Sequence, residues 1–215
     1  MKEKIILAGG GGHCKACIDV INSDDRFVIL GIVERSGFDL QDGSLQVCGV
    51  KIIGTDDDLP ELVKKCPNFL VTLGQIKNPA ARIRLFNLIR DLGGHLPAII
   101  SPLAFVSPTA KIGAGTIIMH QALVNAEALI GINCIINTGA LVEHEASVGN
   151  HTHISTHAIV NGQCTVGSQT LVGSGTVMAN NVAIPDNTLV AAGSVVLRSL
   201  DKPGTYIGNP LRKIR

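Results

Sequence analysis

Apolar residues in the first hundred positions alternate between short continuous runs and runs with helical spacing. Residues 4–8, 27–33 and 69–73 are apolar runs of strand length. Helical spacing of apolar residues recurs over 14–22, 59–66 and 79–92, and a polar loop is expected between the second strand and the second helix. This alternation predicts a small parallel sheet with right-handed crossovers, a Rossmann-like half domain.

From residue 106 onward, an aliphatic residue recurs at every sixth position. Sixteen consecutive positions of this phase, from Val106 to Val196, are Val, Ile or Met, and a small residue stands four places after each one through Ser194, except at Val182. A period of six fits neither an α-helix nor a flat alternating sheet. It is typical of a β-helix in which each hexad supplies one short strand and one turn. Three hexads close a coil, so we expect about five coils with the aliphatic phase inside.

Two further features of the repeat concern its corners. Gly or Asn often follows the aliphatic residue directly, as at Gly113 and Asn125, and we expect tight turns there. Cys134 and Cys164 occupy the small-residue phase. We expect them to be buried small side chains rather than reactive thiols.

The composition of the chain changes near residues 101–102. All five Phe lie at or before Phe105, and no Lys or Arg stands between Ile112 and Leu197. We therefore predict a Rossmann-like domain over 1–101 and a β-helix domain over 102–215, an α/β part followed by an all-β part.

Composition also argues against several classes of function. The net charge of +1 and the 3% of aromatic residues disfavour binding to nucleic acid. Gly and Asn interrupt the apolar stretches, so no membrane span is expected, and the N-terminal apolar run is too short for a signal peptide. Six Cys without an export signal indicate free thiols in the cytoplasm.

The candidate chemistry of the repeat centres on one histidine. Five of the seven His lie in the repeat and none stands in either core phase, so their imidazoles should lie outside the coil: His120, His144, His151, His153 and His157. Two of the region's four acidic residues, Glu143 and Glu145, flank His144. Carboxylates beside one imidazole favour a general base whose cation is stabilised. Spacing does not decide which Glu makes the hydrogen bond, and a solvated polar corner is the alternative.

A zinc site is a second alternative for these histidines. The gamma-class carbonic anhydrases hold zinc between subunits of a left-handed β-helix, with an early His and two later ones five apart. Here the offsets among His151, His153 and His157 are two, four and six. This spacing disfavours zinc, and no metal is expected.

The outer surface of the repeat is poor in charge, which predicts self-association, most simply as a homotrimer with grooves between subunits. A basic tail follows the repeat and is expected either to hold phosphates of a long anionic cofactor or to be solvated: Arg198, Lys202, Arg212, Lys213 and Arg215.

Four glycines, residues 9–12, stand where the first strand should give way to a helix. Backbone N–H groups there can hold a phosphate, although a plain tight turn is the alternative. Cys14 and Cys17 form a C-x-x-C at the predicted helix start, where the pKa of a thiol would fall.

The whole chain resembles the bacterial hexapeptide-repeat sugar acyltransferases of the PglD and NeuD type. The resemblance is carried by Glu143-His144-Glu145, followed by His153-Ile154-Ser155. It implies a left-handed β-helix in which His144 is the general base and Glu145 its partner. His153 would meet acetyl-CoA near its thioester, Asn137 would order the site, and the backbone of Gly162 would donate to the oxyanion.

The resemblance also implies binding positions elsewhere in the chain. Those for the pantetheine groove are Gly173, Ser174, Ala192 and Gly193, and those for the adenine end are Gly208, Asn209 and Pro210. The positions expected to bind the sugar nucleotide are Gly11, Gly12 and His13 in one loop and Gly74 and Gln75 in a later one. Glu34-Arg35 stands after the second strand, where the family has a pair of acidic residues.

From these features we expect an acetyl-CoA-dependent N-acetyltransferase acting on a nucleotide-linked 4-amino-6-deoxysugar. The amine would attack the thioester directly while both substrates are held together. O-acetylation of sialic acid is the runner-up. A non-catalytic nucleotide-binding scaffold and a carbonic-anhydrase-like zinc lyase are the alternatives of other classes.

Overall fold

The computed structural model describes residues 2–39, 45–76 and 78–215. Residues 40–44 of the predicted polar loop lie outside the described residues. The chain divides into two compact units, Met1–Gly74 with Ala80–Pro97, and Gln75–Pro79 with Ala98–Arg215. The domain boundary between residues 101 and 102 stays a prediction. None of the described helices is long and apolar enough to cross a membrane.

The first unit is a five-stranded sheet with helices in the connections. Its strands are β1 (Glu3–Ala8), β2 (Phe27–Glu34), β3 (Gln46–Val47), β4 (Val50–Thr55) and β5 (Asn68–Val71). Its helices are α1 (Gly12–Ser23), α2 (Leu59–Lys65), preceded by a 3-10 turn at Asp56–Asp58, and α3 (Ala80–Asp91). The sheet order is β3-β4-β2-β1-β5, parallel except for the β3–β4 hairpin. This confirms the Rossmann-like prediction.

The β3–β4 hairpin is missing from the sequence prediction, which placed a loop there. In β4, Lys51 and Ile53 are exposed and only Gly54 and Thr55 are buried. Because this strand buries few side chains, its sequence lacks a continuous apolar run. Its pairing with β2, at Ile32↔Ile52, comes from a contact across the fold.

The second unit is a β-helix built of two-residue strands. They are β6 (Ile99–Ile100), β7 (Phe105–Val106), β8 (Lys111–Ile112), β9 (Ile117–Ile118), β10 (Leu123–Val124), β11 (Leu129–Ile130), β12 (Ile135–Ile136), β13 (Leu141–Val142), β14 (Ser147–Val148), β15 (His153–Ile154), β16 (Ile159–Val160), β17 (Thr165–Val166), β18 (Leu171–Val172), β19 (Val177–Met178), β20 (Ala183–Ile184), β21 (Leu189–Val190) and β22 (Val195–Val196). Two further strands, β23 (Thr205–Ile207) and β24 (Arg212–Lys213), complete the unit. Each strand within the repeat pairs in parallel with the strand eighteen residues along, as Leu141↔Ile159 shows. Three sheets result, as predicted from the hexads.

The two periodic phases form the core of this unit. All aliphatic-phase residues from Ile118 to Val196 are buried, and the small-phase residues from Thr116 to Ser194 are buried as well. Cys134 and Cys164 are among them, as expected. Burying a column of aliphatic side chains in each sheet stabilises every coil against its neighbours.

The tight turns lie at a different position from the one predicted. Left-handed backbone recurs three residues after the aliphatic, for example at Glu145 (φ 58°) and Gln163 (φ 60°). Glycines directly after the aliphatic serve close stacking instead, because a Cβ on Gly113 would lie 2.5 Å from the backbone of Gly131 in the next coil. These glycines are thus required by coil spacing rather than by a left-handed φ.

Candidate active site

His144 stands on the corner that follows β13, with its side chain 51% exposed. Its Nδ1 lies 3.1 Å from Glu145 Oε2. Glu143 has another role, since its Oε2 accepts from the His144 N–H at 3.2 Å and from Asn125 Nδ2 at 2.8 Å. A carboxylate only accepts, so Nδ1 carries the proton and Nε2 of the neutral ring is left as a base. Glu145 is therefore the carboxylate that orients the imidazole.

Gly162 lies directly against this imidazole, one coil further along. A Cβ added to Gly162 would stand 2.7 Å from His144 Nε2 and 2.8 Å from Cε1. Gly162 is buried, and its N–H donates to none of the described residues. Buried N–H groups without a partner are rare in proteins. This corner thus offers a free backbone donor beside a free imidazole nitrogen.

A second group of predicted residues gathers on the corner that follows β12 and β15. His153 is only 7% exposed although it points away from the coil interior. Its Nδ1 lies 3.1 Å from the Gln75 carbonyl oxygen and its Nε2 lies 3.1 Å from Asn137 Nδ2. Asn137 Oδ1 accepts from the Thr138 N–H, which fixes the amide orientation. Both ring nitrogens of His153 are thus engaged in hydrogen bonds.

The positions matched to the pantetheine groove continue this same corner over the next two coils. Gly173 is buried because the backbone of Ala192 stands against it, 2.5 Å from where a Cβ would be. Ser174 and Ala192 are exposed, and their N–H groups donate to no described residue. Gly193 has a φ of 68°. Free amides about 4.8 Å apart suit the carbonyls of an extended ligand.

The end of the β-helix contains a cavity of about 770 Å³. Arg198, Lys202, Lys213 and Pro210 line it, with Tyr206 at its wall. Gly208 lies at the neighbouring turn and accepts from the Val195 N–H. Asp201 also lines the cavity, but the three cations outnumber this single carboxylate, and the positive balance favours a ligand with phosphate groups.

The two corners lie at the two edges of one sheet of the β-helix. Six residues separate one corner of a coil from the next, and a chain of six residues spans at most about 20 Å. The His144 corner follows one sheet (β7, β10, β13, β16, β19, β22), and the Asn137 corner follows the preceding one. One copy therefore presents two candidate half-sites, one at each edge of that sheet.

In the first unit, α1 begins directly after the glycine loop. Gly11 and Gly12 are exposed with open space where a Cβ would stand, so a ligand can approach the backbone there. The Gly10 N–H donates to Glu34 Oε1 at 2.9 Å, and the Arg35 N–H donates to Oε2 at 3.3 Å. Glu34 thus ties the loop to the end of β2, and the arrangement can hold an anion at the helix N-terminus.

His13 lies in the first turn of α1 and is largely buried. Burial, followed by the charge of Arg82, lowers the pKa of His13 to about 4. Its Nε2 is buried and has no hydrogen-bond partner among the described residues. A Cβ added to Gly74 would lie 3.4 Å from the Cβ of His13, so Gly74 lies beside this side chain. The next residue, Gln75, is buried in the second unit, so the predicted Gly74-Gln75 loop is divided between the units.

The expectation that the helix start lowers the thiol pKa of Cys14 and Cys17 was wrong. Both are buried, and burial raises the pKa of Cys14 to about 11 and that of Cys17 well above its usual range. The position at a helix start is outweighed by desolvation of the thiolate.

The remaining histidines of the repeat have separate surroundings. His151 contacts Asn133, His120 contacts Ser101 Oγ, and His157 lies against Gly139. The described residues contain no group of three His, Cys, Asp or Glu side chains that could hold a metal ion.

Sequence reasoning missed Gln163 and Asn125, which bind the two glutamates beside His144. Gln163 Nε2 lies 3.1 Å from Glu145 Oε2. Each stands eighteen residues from its partner, so the coil period of eighteen was the signal that could have found them.

Comparison with known proteins agrees with this architecture. The family model for the PglD N-terminal domain matches residues 4–89, and that for the GMPPB C-terminal domain matches residues 100–200. No curated protein matches the chain. A histidine-to-asparagine variant of perosamine N-acetyltransferase from Caulobacter crescentus, in complex with CoA and GDP-perosamine, is 31% identical with a TM-score of 0.89, covering 99% of this chain and 97% of that one.

Two further solved structures share the fold over the whole chain. The acetyltransferase domain of PglB from Neisseria gonorrhoeae, in complex with acetyl coenzyme A, is 27% identical, covers 100% of both chains and has a TM-score of 0.89. WeeI from Acinetobacter baumannii is 19% identical, covers 99% of this chain and 100% of its own, and has a TM-score of 0.81.

A Rossmann-like unit followed by a left-handed β-helix, with a carboxylate-oriented histidine on a coil corner, defines a hexapeptide-repeat acyltransferase. The chain belongs to the PglD/NeuD-type family of sugar acetyltransferases. It is an acetyltransferase enzyme.

Proposed function

We propose that this protein transfers the acetyl group of acetyl-CoA to the amine of a nucleotide-linked 4-amino-6-deoxysugar. The observation that carries the proposal is the His144 corner, where a carboxylate-oriented imidazole and an unpaired Gly162 N–H lie side by side. The bound CoA and GDP-amino sugar of the 31% identical relative support the same pair of substrates.

The proposed reaction uses the two free groups of this corner. The sugar amine attacks the thioester carbonyl carbon, and the carbonyl oxygen becomes an oxyanion that accepts from the Gly162 N–H. Nε2 of His144 takes the proton that the amine loses, while Glu145 stabilises the resulting imidazolium. The tetrahedral intermediate then expels CoA as a thiol after proton return. Direct transfer needs no acyl-enzyme because both substrates are held together.

Acetyl-CoA is proposed to lie along the other corner. The free N–H groups of Ser174 and Ala192 would receive the pantetheine carbonyls, and His153 with Asn137 would stand near the thioester. The cavity lined by Arg198 and Lys202 would hold the phosphates and the adenine end.

The sugar nucleotide is assigned to the first unit. The exposed backbone of Gly11 and Gly12 at the N-terminus of α1 suits the diphosphate, and the unpartnered Nε2 of His13 is available to the ligand. Glu34 and Arg35 stand at the end of β2, where the nucleoside of such ligands is bound in Rossmann-like folds.

A homotrimer would complete the active site. The outward residues of the sheet between the two half-sites form one apolar column: Phe105, Leu123, Leu141, Ile159, Val177 and Val195. The next sheet is mixed: it presents Leu129 and Ala183 together with the polar residues Lys111, Ser147 and Thr165. Packing the apolar sheet against neighbouring copies would bury it and bring the His144 corner of one copy to the Asn137 corner of the next.

The activity is tested by CoA release with acetyl-CoA and a panel of UDP-, dTDP-, GDP- and CMP-linked 4-amino sugars. We expect turnover with an amino sugar and its loss by at least about 100-fold in His144→Ala. A fully active His144→Ala protein would refute the proposed base. The absence of CoA release with every sugar, despite tight nucleotide binding, would favour a non-catalytic scaffold.

Complementation tests the shared site. His144→Ala and Ser174→Trp are each expected to be inactive, and refolding them together in equal amounts should restore about a quarter of the parent activity, because a quarter of the interfaces join two intact corners. If the mixed trimers recovered no activity, the whole active site would lie within one chain.

A further inference from the structure

We infer that Gln163 is a positioning residue for the acetyl transfer, acting on His144 through Glu145; the inference rests on the proposed function of His144. The side-chain amide of Gln163 lies 3.1 Å from Glu145 Oε2, the same oxygen that faces His144 Nδ1. A carboxylate oxygen has two lone pairs, so one atom can accept from both donors. The three side chains form one hydrogen-bonded chain.

The backbone holds Gln163 in register with Glu145. Both residues occupy the left-handed corner position, with φ values of 60° and 58°, in consecutive coils. The Gln163 N–H donates to the His144 carbonyl oxygen at 3.0 Å, and the Glu145 N–H donates to the Ala126 carbonyl oxygen at 2.9 Å. Equivalent corner residues therefore stack at the coil spacing, and the Gln163 amide reaches Glu145 without a change of backbone.

Glu145 needs such a donor because its own side chain is half exposed. Its side chain is 48% exposed, and Glu127 occupies the same corner position one coil before it. An exposed carboxylate with one partner samples several rotamers, and repulsion from Glu127 would turn it away from that neighbour. A neutral amide on the opposite side supplies a second anchor and adds no competing charge.

Catalysis depends on which nitrogen of the neutral His144 imidazole carries the proton. When Glu145 accepts at Nδ1, the neutral ring carries its proton there and Nε2 is left as the base beside Gly162. In a free imidazole side chain the other tautomer, with the proton on Nε2, predominates. Gln163 thus maintains the reactive tautomer by keeping the carboxylate in place.

The test compares Gln163→Met, which keeps the length of the side chain but removes the donor, with Gln169→Met as the matched control. Gln169 is an exposed glutamine at the same turn position of another corner, with a φ of 58°. We expect Gln163→Met to lower kcat about fivefold to twentyfold with KM for both substrates nearly unchanged, and Gln169→Met to leave kcat within about twofold of the parent. Gln163→Glu, which replaces the donor by a third carboxylate in the column, should lose more.

Two readouts separate positioning from a general structural effect. In the Glu145→Ala background, adding Gln163→Met should cause no further loss, because Gln163 acts only through that carboxylate. Nitrogen NMR of the His144 ring in the full-length protein, assigned with His144→Ala, should show the Nδ1–H tautomer as the major form in the parent and a larger Nε2–H fraction in Gln163→Met.

The outcomes distinguish this inference from the proposed function. If Gln163→Met matches the parent in kcat and in tautomer while His144→Ala is inactive, the inference is overturned and the proposed base stands. Additive losses in the double variant would also overturn it. A fully active His144→Ala protein would instead remove the proposed function itself.

Discussion

Replacing Gly162 by Ala adds one methyl group beneath the proposed base. The new Cβ would lie 2.7 Å from His144 Nε2, 2.8 Å from Cε1 and 3.4 Å from Cδ2. Contact distances between such atoms are about 3.5 Å, so the imidazole must retreat by about 0.8 Å. The φ of Gly162 is outside the left-handed region, so Ala can adopt the backbone conformation without strain.

The ring gives way rather than the coil, because the His144 side chain is half exposed and can turn toward solvent. We expect the free energy of unfolding to change by no more than about 0.5 kcal/mol. A displacement of the base by nearly 1 Å should lower kcat by about 100-fold. The Gly162 N–H is retained in the variant, so the loss would report the position of the base and not the oxyanion donor.

The measurements are steady-state CoA release with the best sugar of the panel and thermal unfolding of the same samples. Asn180→Ala, at the same corner position one coil further along and exposed, is the control and should keep parent activity. If Gly162→Ala retained more than half of kcat with an unchanged melting temperature, the close contact between this glycine and the ring would have no catalytic meaning.

Three further outcomes follow from burial. Ile136→Ala removes a fully buried side chain of the β-helix core and should lower the free energy of unfolding by about 2–5 kcal/mol in denaturant titrations, whereas a loss below about 1 kcal/mol would contradict tight packing there. The pKa of His13 is lowered to about 4 from 6.5, so the unfolded chain binds the extra proton between these values and stability should fall as the pH drops through that window. His13→Gln should flatten this part of the pH–stability curve, and an identical curve in the variant would refute the assignment. At pH 8, iodoacetamide should modify exposed Cys48 quickly and spare Cys14, whose pKa is raised to about 11; mass spectrometry of the peptides distinguishes the two.

The β-helix was predictable because its order is local and repeated. One aliphatic position in six, sustained from Val106 to Val196, identifies the strands from β7 to β22 and the aliphatic side chains inside the coils. The His144 cluster was also visible, since carboxylates are scarce in that part of the chain. The β3–β4 hairpin was not predictable, because β3 is only two residues long and β4 buries few side chains, so neither strand carries an apolar run of its own.

What the amino-acid order determined by itself was the rod of stacked coils and the presence of an acid-flanked imidazole on its surface. Only the folded chain decided that Glu145, and not Glu143, faces Nδ1, that Gln163 holds this carboxylate, and that Gly162 lies against the ring. The reason is physical. Periodic burial depends on side-chain type along the chain, whereas hydrogen-bond partners and the pKa of a buried Cys14 depend on atoms brought near from other coils and strands, and on the water those atoms exclude.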